Sequence, residues 1–285
     1  MPTIQGFNTL RARSYVFRLP LFTRAMIVLM VAFWLAGLQS AWDVRQWGAL
    51  IPNELGITTM YRVNTFPLIH INFFHALFNI LSLTPLLERF ETEFGTLTSL
   101  ALFFGRKCAC YIESLGEMWL RLTILVALTT IPAFVYIIIE KFVLRGNTSV
   151  MGASIWVFLL LGIEAIRTYR TNPYLVVGTH HVPTWTTPLL LVLVVEALIP
   201  NTSFVGHLCG VGTGYLFGLG YLKFLSPPEW ALRWIEGRLN LLGRLPHYVS
   251  VDQKTYGRFG VLPTSNPTSS TTPLGLIGST QRLGP

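Results

Sequence analysis

The chain has 285 residues, 52% of them hydrophobic and only 12% charged, with a net charge of +8. A soluble domain carries about a quarter charged residues, so the composition excludes an ordinary soluble enzyme and points to a polytopic helical membrane protein. Basic residues in such a protein set orientation, so the positive balance implies no nucleic-acid partner.

The first apolar run starts near residue 20 without a small-residue cleavage site, so residues 1–19 are expected to form a cytosolic N-terminal segment, not a cleaved leader. Hydropathy then draws six spans: Ala25–Leu38, Phe66–Leu87, Leu122–Ile139, Val150–Ile166, Thr187–Ile199 and Phe204–Leu225. Several fall short of the roughly 20 residues of a full crossing, so flanking residues or a thinner bilayer must help. Leu97–Gly105 is apolar too, but would make only about 13 Å of helix against a hydrocarbon core of about 30 Å. With the polar stretch Arg106–Arg121 behind it, it reads as a surface segment on the cytosolic side, which keeps the span count even. Three cysteines, Cys108, Cys110 and Cys209, give neither a disulfide framework nor a four-ligand metal pattern, and no metal or cofactor is expected.

Basic residues orient the chain. Arg11, Arg13, Arg18 and Arg24 precede the first apolar stretch or sit at its start, Arg167 and Arg170 follow the fourth span, and Lys223, Arg233, Arg238 and Arg244 follow the sixth. Both termini are thereby expected in the cytosol, with Lys141 and Arg145 left on the lumenal side against the rule. Beyond Pro227, Trp230, Leu232, Ile235, Leu239 and Leu242 recur at helical spacing among arginines. Such a helix suits an anionic membrane surface or, equally, a partner groove. Residues 226–262 therefore read as a cytosolic amphipathic tail, and the Pro, Ser, Thr and Gly of 263–285 as a disordered one. The expected fold is all-α: a six-helix transmembrane bundle over residues 20–225 with a cytosolic C-terminal tail.

Depth counting brings polar groups together. Ser154 lies about four residues inside the lumenal end of the fourth span, and His207 about three inside that of the sixth; at about 1.5 Å per residue both sit within a turn or two of the surface. The second span carries His70, His75 and Asn79 in its lumenal half. Ser154 in a small-residue helix start serves packing or chemistry, and His75 with Asn79 on one helical face could equally join helices. A histidine inside a span is by default a functional residue. His180-His181 falls in the polar loop between the fourth and fifth spans, as a solvated pair. Gly206, Gly210, Gly214 and Gly218 form a stripe along which another helix can approach closely. That would let Ser154 reach His207, with Phe158, one turn on, beneath the imidazole. An imidazole can activate a serine as general base, and Asn79, His75 and the Ser154 N–H could hold an oxyanion. No Asp or Glu lies in the lumenal half of these three spans, so the arrangement would be a Ser–His dyad.

These residues resemble the rhomboid family of intramembrane serine proteases. The family pattern of two histidines and an asparagine is matched by His70-Ile-Asn-Phe-Phe-His75-Ala-Leu-Phe-Asn79, and its Gly-x-Ser-Gly by Gly152-Ala-Ser154-Ile155. Gly206-His207-Leu-Cys-Gly210-Val-Gly-Thr-Gly214 matches the motif of the sixth span, and Tyr61-Arg62 the family's Trp-Arg pair. The motif order and the tail are similar to the Golgi rhomboids of fungi. The resemblance implies Ser154 as nucleophile, His207 as base, His75 and Asn79 in the oxyanion site, and Gly152, His70, Arg62, Gly210 and Gly214 as structural neighbours. It also implies transmembrane protein substrates cut near the lumenal surface, and a Golgi membrane location. Tyr256-Gly-Arg-Phe-Gly-Val-Leu262 resembles motifs that dock onto an AAA segregase, a candidate partner.

Two departures stand out. Ile155 replaces the usual glycine, which raises the alternative of a catalytically inactive rhomboid-like protein that binds membrane clients for degradation or trafficking. Arg106–Val126 resembles nothing in the family, and Phe104-Gly105 would join Leu128-Thr-Thr-Ile smoothly without it. It reads as an atypical insertion, or as translated intron sequence.

Overall fold

The computed structural model describes residues 15–105, 127–199 and 202–254, and these are mostly helical. Expectations for residues 106–126, the 256–262 motif and the 263–285 tail lie outside the described residues.

Helix α1 (Leu21–Ala36) leads into a long loop holding two short helices, α2 (Val44–Gly48) and α3 (Arg62–Thr65). Helix α4 (Phe73–Phe94) follows, then α5 (Thr96–Phe104), α6 (Ile131–Ile138) with a π-turn over Ile139–Val143, and α7 (Ser154–Thr171). A hairpin of β1 (Tyr174–Val177) and β2 (His180–Pro183) precedes α8 (Thr187–Leu198), α9 (Phe204–Leu219), α10 (Glu229–Leu239) and α11 (Leu241–Arg244). Among the described residues no single helix is long and apolar enough to cross a membrane. Two bent pairs are, by length and composition: Arg62–Leu68 with Phe73–Phe94, bent by 98°, and Phe204–Leu219 with Lys223–Leu239, bent by 86°. Charge accounts for the two longest helices, since the last turns of α4 carry Glu88, Arg89, Glu91 and Glu93, and those of α7 carry Glu164, Arg167 and Arg170.

The second expected span begins as loop. Pro67 sits in a 3-10 turn over Phe66–Leu68, and the Asn72 side chain caps α4 by accepting from the His75 N–H at 2.9 Å. Proline at the head of a turn and asparagine as N-cap both move the helix start to Phe73.

Helices α7 and α9 form the centre of the bundle. A Cβ at Gly210 would stand 2.5 Å from the Ile155 carbonyl, and one at Gly214 would collide with that of Leu159. Hence the glycine stripe brings the two backbones together, as its spacing predicts. Trp156, Leu159 and Ile163 of α7 belong to the main core together with Phe103, Leu83 and Phe217, and the Trp156 ring meets Phe103 edge-on.

The structure corrects the surface placement of Leu97–Gly105. Leu102 and Phe103 in α5 are 1% and 0% exposed, and the Phe103 ring packs edge-on to Phe22, Phe90 and Trp156. The segment is a short buried helix, because it follows α4 through a turn at Gly95 (φ 90°) that folds it back into the core. Among the described residues of the third expected span, which begin at Ala127, helix starts at Ile131.

The tail also differs from expectation, at least as far as residue 254. Helix α10 forms, but its stripe divides: Leu232 and Ile235 are buried, while Trp230 is 75% exposed and Leu239 49%. After α11 the chain returns as a strap, with Tyr248, Ser250 and Val251 buried. The Glu236 carboxylate accepts from the Tyr248 hydroxyl and the Val251 N–H. The strap is bonded to the bundle at two points, Leu21 N–H to the His247 carbonyl and Thr96 N–H to that of Val249. Beside it, the buried Glu91 carboxylate accepts from the N–H groups of Phe22 and Thr23 and the hydroxyls of Thr23 and Thr96, at 2.7–2.9 Å. The partner groove offered to α10 is thus partly this chain's own.

Candidate active site

The site is assembled from α4, α7, α9 and the loop before α4. His207 Nε2 lies 3.0 Å from Ser154 Oγ across the close α7–α9 contact. His207 is 3% exposed, and its ring packs on Phe158 with centroids 4.5 Å apart. A hydroxyl held to an imidazole nitrogen at this distance can hand over its proton as it attacks.

The loop ahead of α7 is pinned by backbone bonds. Gly152 N–H donates to the Phe66 carbonyl at 2.9 Å, and Ala153 N–H to His70 Nε2 at 3.5 Å. His70 must then carry its hydrogen on Nδ1, which lies 3.1 Å from the Leu68 carbonyl. His70 therefore ties the loop to the segment before α4 and does not face Ser154 directly. Leu50 and Val150 exchange two backbone bonds and anchor the same loop to the first. Arg62, 6% exposed, binds that first loop through Glu54 at 2.6 Å and the Gln46 carbonyl at 3.0 Å.

Gly152 has φ 110°, a conformation that favours glycine, and a Cβ there would stand 2.6 Å from His75 Nε2 and 3.7 Å from Asn79 Nδ2. Both side chains therefore reach the turn that opens α7. His75 Nδ1 accepts from the Ile71 N–H at 3.4 Å, which leaves the hydrogen on Nε2, facing Gly152. Asn79 donates one amide hydrogen to the His75 carbonyl at 2.8 Å and keeps the other. The Trp156 and Val157 N–H groups turn back to the Ala153 carbonyl, while the Ser154 N–H, at the first position of α7, has no carbonyl one turn back within the helix, and the helix dipole adds partial positive charge there. An imidazole N–H, an amide N–H and a helix N-terminus thus converge beside Ser154, as donors to a developing negative oxygen would.

Ile155 does not crowd this space. Its side chain is 1% exposed and belongs to the main core, so it points away from the opening. The pair His180-His181 lies exposed on the hairpin and takes no part. The hairpin itself was missed, although Gly178 (φ 62°) between two β-rich runs is the signal for one. Among the described residues no cluster of His, Cys, Asp or Glu could hold a metal ion.

Comparison with known proteins gives the family. The Rhomboid domain family model matches residues 58–224, which includes every one of these site residues. The chain is 56% identical to Rhomboid-type serine protease 2 of Podospora anserina, over 100% of this chain and 99% of that one. It is 58% identical to Rhomboid-type serine protease 2 of Neurospora crassa, over 98% and 95% of the two chains. Rhomboid-type serine protease B of Aspergillus fumigatus is 57% identical, over 98% and 96%. With the family model covering more than half its length and relatives matching it nearly end to end, the chain belongs to the rhomboid family.

Proposed function

We propose that the protein is an intramembrane serine endopeptidase working through a Ser154–His207 dyad. The observation that carries the reading is the 3.0 Å contact between Ser154 Oγ and His207 Nε2 within a site rich in hydrogen-bond donors. Near-full-length relatives named as rhomboid-type serine proteases support the enzyme class.

His207 Nε2 takes the proton as Ser154 Oγ attacks the scissile carbonyl carbon. The carbonyl oxygen becomes an oxyanion, received by Asn79 Nδ2, His75 Nε2 and the Ser154 N–H. His207 then protonates the leaving amine, the C–N bond breaks, and water later releases the acyl group by the same route in reverse. Substrates are transmembrane proteins whose helices unwind near the surface at the Ser154 end. That end faces the lumen of the Golgi, six spans cross the bilayer, and both termini lie in the cytosol. The inactive-binder alternative loses its motive, since the Ile155 side chain is turned into the core.

Cleavage of a transmembrane reporter by the purified chain tests the proposal. Ser154→Ala and His207→Ala should each abolish product. Undiminished cleavage by Ser154→Ala would end it.

A further inference from the structure

The imidazole of His207 has one nitrogen accounted for and one not. Nε2 meets Ser154, so the neutral ring carries its hydrogen on Nδ1. Nδ1 is buried and has no hydrogen-bond partner among the described residues. When Nε2 takes the serine proton the ring becomes a cation in the same buried place, with nothing yet named to balance it. Such a charge is costly unless an opposite one lies near.

The packing of α8 against α9 supplies a candidate. Tyr215 on α9 donates its hydroxyl to the Trp185 carbonyl just before α8, and the two rings lie 6.5 Å apart. Further along, Val192 of α8 and Val211 of α9 pack together with Phe158. The helices are therefore antiparallel, and the Val192–Val211 pair fixes their register. One turn on from Val192 is Glu196; one turn back from Val211 is His207. Glu196 thus occupies the layer of the imidazole, one turn beyond the valine contact. Its carboxylate accepts from the Thr202 hydroxyl at 2.7 Å, which holds it toward the start of α9. From α4, His75 is the titratable group that faces the site, with its Nε2 against Gly152. Ser154 is the polar group facing the ring from α7, and Tyr136 on α6 turns its hydroxyl to the Thr148 carbonyl instead.

We propose that Glu196 is a positioning residue for His207, supplying the counter-charge to the imidazolium and the acceptor, direct or through one water, for its Nδ1–H. The inference deepens the dyad reading and rests on it. Glu196 is solvent-exposed, so it acts across a short wet gap and its effect is modest and screened by salt.

The test is the rate of fluorophosphonate labelling of Ser154 in the purified full-length chain, followed from about pH 5 to pH 8 where an imidazole titrates. Glu196→Gln removes the charge at an exposed position and keeps the shape. Its labelling should slow by about tenfold, less than the roughly 10²- to 10⁴-fold that a general base itself is worth, because Glu196 acts only through His207. Losing a nearby negative charge disfavours the imidazolium, so the acid limb of the profile should move to lower pH. Glu196→Asp keeps the charge and should retain most of the rate. Raising salt to about 1 M should narrow the gap between wild type and Glu196→Gln. A Glu196→Gln chain that labels at the wild-type rate with an unmoved acid limb overturns the inference while leaving the dyad intact. A wild-type chain that does not label at Ser154 overturns the dyad, and the inference with it.

Discussion

The hydroxyl of Thr129 donates to the carbonyl of Phe103 at 2.5 Å, in a layer where the two residues are 1% and 0% exposed. Gly105 and Ala127, the described residues on either side of 106–126, are both buried, and this bond ties the two sides together. Everything between Gly105 and Ala127 is bracketed by one contact. Removing residues 106–126 and joining Gly105 to Ala127 should leave the bundle folded. The shortened chain should label with fluorophosphonate at a rate within a few-fold of wild type. Aggregation or loss of labelling would assign the segment a structural role.

Gly152→Ala should disable the site more than it disturbs the fold. The new methyl group would meet the His75 ring at 2.6 Å in a backbone conformation that side chains rarely adopt. Labelling of Ser154 should fall by at least tenfold, with a stability loss of about 1–3 kcal/mol. The rate is read with a fluorophosphonate and the stability by thermal unfolding in detergent.

Asn79→Ala should leave fluorophosphonate labelling detectable while reporter cleavage falls by about 10²- to 10³-fold, the usual value of one oxyanion donor. His75→Ala should behave alike, and a rise in KM with kcat unchanged would argue against an oxyanion role for either.

Glu91→Ala leaves two backbone N–H groups and two hydroxyls without their acceptor. Unsatisfied buried donors cost about 1–3 kcal/mol each before relaxation, so a total loss of about 3 kcal/mol or more is expected. The melting temperature should fall clearly below that of wild type, and limited proteolysis should open the chain near residues 247–251.

The strap should loosen in acid. Glu229 is held below the ordinary carboxylate value by a hydrogen bond from Lys254 and by its charge. A depressed folded value means that the stabilisation is present above the unfolded value of 4.5 and is lost as pH falls below it. Glu229 is more than half exposed, so the effect is small. Protection of the strap against an acid-tolerant protease should be higher at neutral pH than near pH 4, and Glu229→Gln should abolish the difference.

The site was legible in the sequence for a geometric reason. His75 and Asn79 are one turn apart, Ser154 and His207 lie near the ends of parallel helices, and the glycines repeat every four residues. These spacings alone carry the four side chains to one layer. Other parts were not legible because their burial comes from partners distant in sequence. Leu102 and Phe103 look too short for a span, yet the Gly95 turn folds them into the core. Tyr248, Val249 and Ser250 have no apolar periodicity, and only the acceptors on Glu236 and the Thr96 turn show that they are held. Glu196 lies on the fifth span, outside the three spans whose polar depths align, and its layer follows only from the register of α8 on α9.

The strap has a consequence for biogenesis. The N-terminal amide of α1 is bonded to His247, and the turn after α4 to Val249. Helix α1 therefore waits for residues near 250, far later in the chain, before the N–H at its start is closed. Helices can insert vectorially, one after another, but the finished bundle is sealed only once residues near 250 have left the ribosome. A nascent chain stalled earlier would hold its serine and histidine without the closure beneath them.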